Sequence, residues 1–279
     1  MKIHPRSMLF VSGEKSERFP KAFAAGADLV CIDLEDAVHP ERKVEARAQV
    51  LGWLAANPAT PGQAHRAIRI NGLRTLDGLR DLLALAESGL QLDALLIPKA
   101  ESSADLQAVQ AWVGAKAGAL IALLETPLAI ERAFEIAQAG AGIGALMLGG
   151  ADLSAELDAQ FGWDGLRHAR GRLVNAAKAA GVQAWDVPHI DLADTAGLAD
   201  ETRRVLALGF DCKTAIHPQQ LAAIHAAFLP TPAELDWART LLQAVPAGGA
   251  SGAFLFQGRM VDAPLLRKAQ RIVERAARA

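Results

Sequence analysis

Short apolar runs rich in Val, Ile and Leu alternate along the chain with longer segments in which apolar residues recur at helical spacing. The apolar runs lack polar alternation, which is typical of strands covered on both faces and therefore of a parallel sheet. The predicted strands span residues 7–12, 29–34, 67–70, 94–98, 120–124, 145–148, 182–187 and 212–216. The helices predicted to follow them span residues 17–25, 41–56, 76–88, 104–117, 128–139, 164–180, 199–208 and 219–228.

The repetition of strand and helix predicts the fold class. Several predicted helices end at a glycine before the next strand, as at Gly26, Gly181 and Gly209, and glycine is the residue that a helix C-cap favours. Eight right-handed crossovers close a parallel sheet on itself, so residues 1–228 are predicted to form a (β/α)8 TIM barrel. A doubly wound open sheet is the alternative.

The last part of the chain, residues 229–279, does not continue the alternation of predicted strands and helices. Leu229-Pro230-Thr231-Pro232 breaks the pattern, and helices are predicted over residues 233–244 and 265–279. A Gly/Ala-rich joint at residues 247–252 separates them and favours a segment that moves. We therefore expect a C-terminal helical extension that acts as a lid or as an oligomer contact.

Composition and charge narrow the function. Hydrophobic residues make up 51% of the 279 residues, enough for a large core, and the formal net charge of −2 provides no basic field for nucleic acid. No window approaches the roughly 18 apolar residues of a membrane span, and the N-terminal sequence lacks a secretory signal, so a cytoplasmic protein is expected. Cys31 and Cys212 each lie in an apolar run and are interpreted as buried reduced thiols.

Candidate chemistry lies where the predicted strands end, because the carboxyl ends of barrel strands form the mouth of a TIM barrel. One carboxylate at a strand end is often a helix cap or an ion-pair partner, but several at one mouth favour a functional cluster. The polar residues that close the strands are Asp33, Glu35, Asp36, Arg69, Lys99, Glu101, Glu125, Asp152, Asp186 and His217. This is an acidic cluster with one arginine and one lysine.

An acidic, oxygen-rich site suits Mg²⁺, which usually takes one or two carboxylates and keeps waters. Zinc is disfavoured, because the seven histidines form no ligand spacing and no cysteine pair is spaced as ligands. Gly142 and Gly144 begin a dinucleotide-type glycine pattern, but Leu148 stands where its third glycine is required. His217 is interpreted as a loop residue that orients the turn after strand eight.

At these residues the chain resembles the HpcH/HpaI aldolase and citrate lyase family, in particular the citrate lyase beta-subunit-like branch. The similarity runs from Arg6 to the terminal helix. It is carried by the blocks RSMLFVSG, ERFPKAFAAGADLVCIDLEDAV, RING, LIPKAES, LLETPLAI, LMLGGADLSAEL, LGFDCKTAIHPQQL and GAFLFQGRMVDAPLL.

The resemblance implies roles for the residues at the mouth. Glu125 and Asp152 would hold Mg²⁺, with Glu125 also facing the substrate, and Arg69 would grip the carboxylate of the oxo-acid part. Glu35 and Asp36 would not bind the ion directly; they would contact metal-bound waters or fix the position of Lys99.

The resemblance also implies contacts outside this cluster. Asp262 would reach the site of a neighbouring subunit in a homo-oligomer, such as a trimer, and Arg6 and Arg18 would meet the phosphates of coenzyme A. The chain departs from many relatives in having Ser12 in place of proline and Ala151 in place of glutamate. Neither departure removes an expected metal ligand, but both bear on which acyl group the site accepts.

The implied activity is that of a Mg²⁺-dependent carbon–carbon lyase. It would cleave a 3-hydroxy-3-carboxyacyl thioester, such as a citryl, citramalyl or malyl thioester, to a 2-oxo acid and an acetyl thioester. The alternatives are a pyruvate-type 2-oxo-acid aldolase that does not use coenzyme A, a thioesterase acting on malyl-CoA, and the beta subunit of a citrate lyase complex acting on an acyl-carrier-protein thioester. A regulator that only binds acyl groups is a further alternative.

Overall fold

A computed structural model describes residues 3–245 and 253–277. Its first compact unit, residues 1–224, contains a closed barrel of eight parallel strands in chain order, in which β1 pairs with both β2 and β8. This confirms the TIM barrel and rules out the open sheet. The strands are β1 Ser7–Ser12, β2 Leu29–Asp33, β3 His65–Arg69, β4 Ala94–Ile97, β5 Ala119–Leu124, β6 Ile143–Leu148, β7 Gln183–Asp186 and β8 Cys212–Ala215.

Side chains that point into the barrel form an apolar core. Cys31, Leu123, Met147 and Trp185 belong to this cluster and are at most 2% exposed. Successive side chains of a strand alternate between faces, so the inward positions recur every second residue towards the carboxyl end. The positions two residues beyond the core then lie at the mouth, which is how a continuous apolar strand delivers a polar side chain to the site.

Helices surround the barrel and connect its strands. Two of them end at glycines with left-handed backbone, Gly181 (φ 72°) and Gly209 (φ 108°), as the sequence predicts. The helices are α1 Phe19–Phe23, α2 Lys43–Ala56, α3 Leu76–Glu87, α4 Ser103–Val113, α5 Pro127–Glu131, α6 Ala133–Ala137, α7 Gly150–Glu156, α8 Trp163–Ala180, α9 Thr195–Leu208 and α10 Leu221–Phe228.

Two of these connections differ from the prediction. The helix predicted over residues 128–139 is divided into α5 and α6 at Arg132, whose backbone (φ −90°, ψ 8°) departs from the α-helical region. The seven-residue helix α7 was not predicted, because it is too short to show helical periodicity. It matters for function, since it carries Asp152 in its first turn.

The second compact unit comprises residues 225–279. It contains α11 Pro232–Gln243, an antiparallel hairpin of β9 Phe254–Phe256 and β10 Arg259–Val261, and α12 Ala263–Ala277. The two helices were predicted and the hairpin was not. Its turn at Gln257 and Gly258 has positive φ at both residues (48° and 75°), which is the conformation of a tight hairpin turn.

This second unit has its own apolar core, which includes Leu241, Val261 and Ile272. The unit begins at His225, a few residues before the predicted division at 228/229. The predicted Gly/Ala-rich joint at residues 247–252 lies outside the described residues, and the role of the extension as a lid or oligomer contact stays a prediction. Within the described ranges, no helix combines the length and the apolar character needed to cross a membrane.

Candidate active site

Arg69 and Asp33 form a buried, bidentate ion pair at the barrel mouth. The two residues face each other in the register between β2 and β3. Arg69 Nε donates to Asp33 Oδ1 at 2.7 Å and Nη2 donates to Oδ2 at 2.6 Å, with the side chains only 11% and 2% exposed. Asp33 also accepts the main-chain N–H groups of Glu35 and Ala37. Asp33 therefore fixes the orientation of the Arg69 guanidinium on one edge.

The other edge of the Arg69 guanidinium faces two more carboxylates. Its Nη1 lies 3.0 Å from Glu35 Oε2 and 3.2 Å from Asp36 Oδ2, and its carbon lies 5.2 Å from the centre of the Phe10 ring. Burial works to lower the pKa of Arg69, but Asp33 and, to a smaller extent, Glu35 and Asp36 outweigh it and raise the pKa above its ordinary value. The guanidinium stays charged. A further carboxylate that binds at its Nη1–Nη2 end would have to displace Glu35 and Asp36 from Nη1.

Glu125 enters the mouth from the end of β5 and is only 4% exposed. Its Oε2 accepts the main-chain N–H of Lys99 at 2.8 Å. A Cβ atom at Gly149 would overlap Glu125 Cγ and lie 2.6 Å from Oε1, so a glycine is required where the side chain passes this backbone. Burial raises the pKa of Glu125 to about 6.

Lys99 connects Glu125 to the remaining carboxylates. Its ammonium lies 3.5 Å from Glu35 Oε1 and 3.6 Å from Asp152 Oδ2. Partial burial works to lower the pKa of Lys99, but Glu35 and Asp152 outweigh it and the pKa is raised. Asp152, in the first turn of α7, is 44% exposed, so Glu125 approaches from the buried side of the site and Asp152 from the solvent side.

Of Glu35 and Glu125, Glu35 has the more strongly raised pKa, and burial is the main cause. It is buried, which raises its pKa to about 8; Arg69 opposes this shift, whereas Glu125 and Asp36 add to it. Its buried Oε2 makes no hydrogen bond, because the 3.0 Å approach of Arg69 Nη1 lacks hydrogen-bond geometry.

The donor set fits a hard divalent cation better than zinc. Two cations, Arg69 and Lys99, face the five carboxylates of Asp33, Glu35, Asp36, Glu125 and Asp152. Within residues 3–245 and 253–277, no group of three or more His, Cys, Asp or Glu side chains is placed to ligate a metal ion together. Carboxylate oxygens are ligands that Mg²⁺ prefers, and the ion usually takes one or two of them together with waters.

Three strand-end residues singled out in the sequence have structural contacts instead. Glu101 accepts the Thr126 hydroxyl at 3.0 Å and pairs with Arg74 at the rim. Asp186 is fully buried between Arg170 and Lys213. His217 Nδ1 accepts the N–H of Gln219 at 3.2 Å, which confirms its interpretation as the residue that orients the turn after β8.

The residues predicted to act outside the cluster are not all brought to the mouth. Arg6 precedes β1, at the amino end of the barrel, where its Nε and Nη2 pair with Asp28, so it does not join the site. Arg18 follows β1 and is exposed, 3.8 Å from Glu17. Asp262 directly precedes α12 in the second unit, where its Oδ1 accepts the N–H of Leu265 at 3.3 Å.

Two residues on which the site depends have no role predicted from the sequence. Asp33, the anchor of Arg69, is predicted only as one of the polar residues at the strand ends, and it lies two residues beyond the inward-facing Cys31. Gly149 is required by the close approach of Glu125, and no sequence pattern reveals such a contact.

Comparison with known proteins identifies the family of the chain. The family model of HpcH/HpaI aldolase/citrate lyase matches residues 6–218. A citrate lyase subunit beta-like protein of Mycobacterium tuberculosis is 38% identical over 278 residues, covering 97% of this chain and 95% of the relative. The L-malyl-CoA/beta-methylmalyl-CoA lyase of Cereibacter sphaeroides is 33% identical over 301 residues, covering 97% and 94%.

A solved structure is similar over the same extent. The crystal structure of CitE from Mycobacterium tuberculosis, in complex with magnesium, acetoacetate and coenzyme A, superposes with a TM-score of 0.85 at 36% identity and covers 99% of this chain and 100% of that chain. With a family model over most of the barrel and relatives matched from end to end, the chain belongs to the HpcH/HpaI aldolase/citrate lyase family.

Proposed function

We propose that the protein is a Mg²⁺-dependent carbon–carbon lyase that cleaves a 3-hydroxy-3-carboxyacyl thioester to a 2-oxo acid and an acetyl thioester. The observation that carries the proposal is a single cluster at the barrel mouth. In it Asp33 holds Arg69, and Lys99 contacts both Glu125 and Asp152. The relatives named as malyl-CoA lyase and as CitE with magnesium and coenzyme A support it.

Glu125 and Asp152 would hold the ion. Bound there, Mg²⁺ would supply a Lewis acid that stabilises negative charge on the substrate's hydroxyl oxygen as the carbon–carbon bond breaks. The raised pKa values of Glu125 and Glu35 come mainly from burial, and a divalent cation bound beside them would oppose this shift by favouring their ionised forms.

Arg69 binds the carboxylate next to the reacting carbon. Asp33 occupies its Nε–Nη2 edge, so the substrate's carboxylate would be taken at the Nη1–Nη2 end, where Glu35 and Asp36 now lie. A guanidinium fixed on one edge orients its ligand at little entropic cost, which places the bond to be broken in a defined direction. Lysine lacks this planar fork and would be a poor replacement.

Cleavage needs a base for the hydroxyl proton. When the base takes this proton, the oxygen forms the carbonyl of the 2-oxo acid, the carbon–carbon bond breaks, and its electron pair passes to the thioester as an enolate. Protonation of the enolate carbon then gives the acetyl thioester. We assign the base to Asp262, supplied by a neighbouring copy in a homo-oligomer; Asp262 is exposed in the structure.

For the thioester end of the substrate, we propose only the class of carrier and one binding residue. A coenzyme A thioester is the expected form, and Arg18, exposed after β1, is the residue proposed to meet its phosphates. An acyl-carrier-protein thioester would present the same reacting group.

The proposed activity is tested by offering citryl-, citramalyl-, malyl- and methylmalyl-CoA with Mg²⁺ or with chelator and identifying the products by mass spectrometry. We expect a 2-oxo acid and acetyl-CoA in equal amounts from at least one substrate, with Mg²⁺ only. Glu125→Gln should abolish this release and Glu101→Gln, a carboxylate paired at the rim, should not.

Other products would point elsewhere. Free coenzyme A without acetyl-CoA indicates a thioesterase, and cleavage of pyruvate-derived aldols alone indicates an aldolase; either result contradicts the proposal. For Asp262, mixing inactive Asp262→Asn subunits with inactive Glu125→Gln subunits should restore part of the activity. Mixed oligomers that form and stay inactive would exclude a shared site.

A further inference from the structure

Lys99 contacts both residues proposed to hold the ion. Its main-chain N–H donates to Glu125 Oε2 at 2.8 Å, and its ammonium lies 3.6 Å from Asp152 Oδ2. The same ammonium lies 3.5 Å from Glu35 Oε1. One residue thus joins the carboxylate from β5, the carboxylate from α7 and the carboxylate after β2.

The backbone of Lys99 is in a conformation that residues with a side chain rarely adopt. Its φ is 53°, in the left-handed region, directly after β4 and Pro98. Such a conformation persists where its surroundings enforce it, and it is concentrated at functional sites. Here the left-handed turn directs the N–H of Lys99 at Glu125, which fixes the carboxylate facing the mouth.

The main-chain N–H of Lys99 favours ion binding by fixing Glu125, whereas its ammonium repels a bound cation. If Asp152 Oδ2 is a ligand, the ammonium lies at most about 5.7 Å from the ion, because an Mg–O bond of about 2.1 Å adds to the 3.6 Å contact. A single and a double positive charge at that distance repel each other even in a water-like medium. The repulsion corresponds to roughly a tenfold loss of ion affinity without salt, and roughly fourfold at 0.1 M salt.

We propose that Lys99 is a positioning residue that limits the affinity of the site for its divalent ion. Its main chain holds Glu125 ready to bind the ion, while its ammonium draws Asp152 and Glu35 together and repels the ion that they attract. The ion remains exchangeable as a result, and an anionic substrate that neutralises the ammonium strengthens ion binding. This inference rests on the metal site of the proposed function.

The test measures Mn²⁺ binding to the full-length protein by electron paramagnetic resonance, without substrate. Lys99→Met removes the ammonium and keeps the N–H, and Lys99→Arg keeps the charge. Lys178→Met is the matched control, because Lys178 is exposed and pairs with a single carboxylate, Asp211, near the end of α8. We expect Lys99→Met to bind Mn²⁺ about fourfold more tightly at 0.1 M salt and about tenfold more tightly at low salt, with Lys99→Arg and Lys178→Met like the unsubstituted protein.

The outcomes separate this inference from the proposed function. Mn²⁺ binding that Lys99→Met leaves unchanged or weakens overturns the role of Lys99 alone. No Mn²⁺ binding to the unsubstituted protein overturns the metal site and this inference with it. Lys99→Gly, which accepts the left-handed turn and also keeps the N–H, provides a second neutral variant if Lys99→Met does not fold, with the same expected tightening.

Discussion

Replacing Arg69 by alanine should cost stability as well as activity, because Arg69 is the cation that neutralises Asp33. Asp33 is 2% exposed, and in this variant it would be left as a buried carboxylate without its partner. Breaking a buried ion pair from one side typically costs about 3–5 kcal/mol.

The structure places the expected cost at the lower end of that range. Asp33 keeps two hydrogen bonds after the substitution, from the N–H groups of Glu35 at 2.8 Å and Ala37 at 3.1 Å. Part of the carboxylate therefore remains satisfied, and we expect a loss of about 3 kcal/mol. For a protein of this size this corresponds to a fall in melting temperature of roughly 6–12 °C.

Arg47→Ala is the matched control for this experiment. Arg47 pairs with Asp81, which is 1% exposed and likewise keeps two donors, the N–H and the side-chain amide of Asn71. Urea denaturation should show a similar loss of unfolding free energy for both variants, while lyase turnover falls at least a hundredfold only in Arg69→Ala. An Arg69→Ala protein within about 1 kcal/mol of the original would refute the anchoring role assigned to Asp33, and equal turnover losses in the two variants would refute the substrate role of Arg69.

Three further predictions follow from single contacts. Gly149→Ala should reduce Mn²⁺ affinity and turnover at least tenfold, because the new Cβ displaces Glu125. Gly72→Ala is the control and should leave Mn²⁺ binding unchanged, since the nearest atom to its new Cβ is 3.9 Å away. Equal effects of the two changes would exclude the contact between Gly149 and Glu125 as the cause. Lys99→Gly should be about 1 kcal/mol more stable than Lys99→Ala in thermal denaturation, because φ is 53° there, and the reverse order would contradict the left-handed conformation. Burial raises the pKa of Glu35 to about 8 from an ordinary 4.5, so it contributes stability that is complete below about pH 4.5 and lost as pH rises through 8. In chelator, the unfolding free energy should therefore fall over this interval with a shallower slope in Glu35→Gln, and identical slopes would show that Glu35 is not the group responsible.

Much of the fold can be predicted from the sequence, because most strands are apolar runs and most long helices show helical periodicity. The strands β3 and β8, which contain Arg66 and Lys213, depart from the apolar pattern. The same reasoning locates Arg69 and Glu125, since both close a strand and strand ends meet at one mouth. It does not find α7 or the β9–β10 hairpin, which are too short to show periodicity.

The details of the site follow from contacts that no local pattern encodes. That Arg69 has one edge already occupied by Asp33 depends on the register between β2 and β3, and the left-handed turn at Lys99 depends on what surrounds β4. Arg6 is a residue that the sequence predicts near the site but the structure places elsewhere. It adjoins β1 in sequence, but it lies at the amino end of that strand and pairs with Asp28.

The most direct test of the divalent-ion site is a crystal of the protein soaked with Mn²⁺ and measured for anomalous scattering at the manganese edge. We predict one strong peak bound by the carboxylates of Glu125 and Asp152, at metal–oxygen distances slightly above the roughly 2.1 Å typical of Mg²⁺, and its loss in Glu125→Gln. A peak elsewhere, or no peak at a Mn²⁺ concentration that supports turnover, would contradict the proposed site.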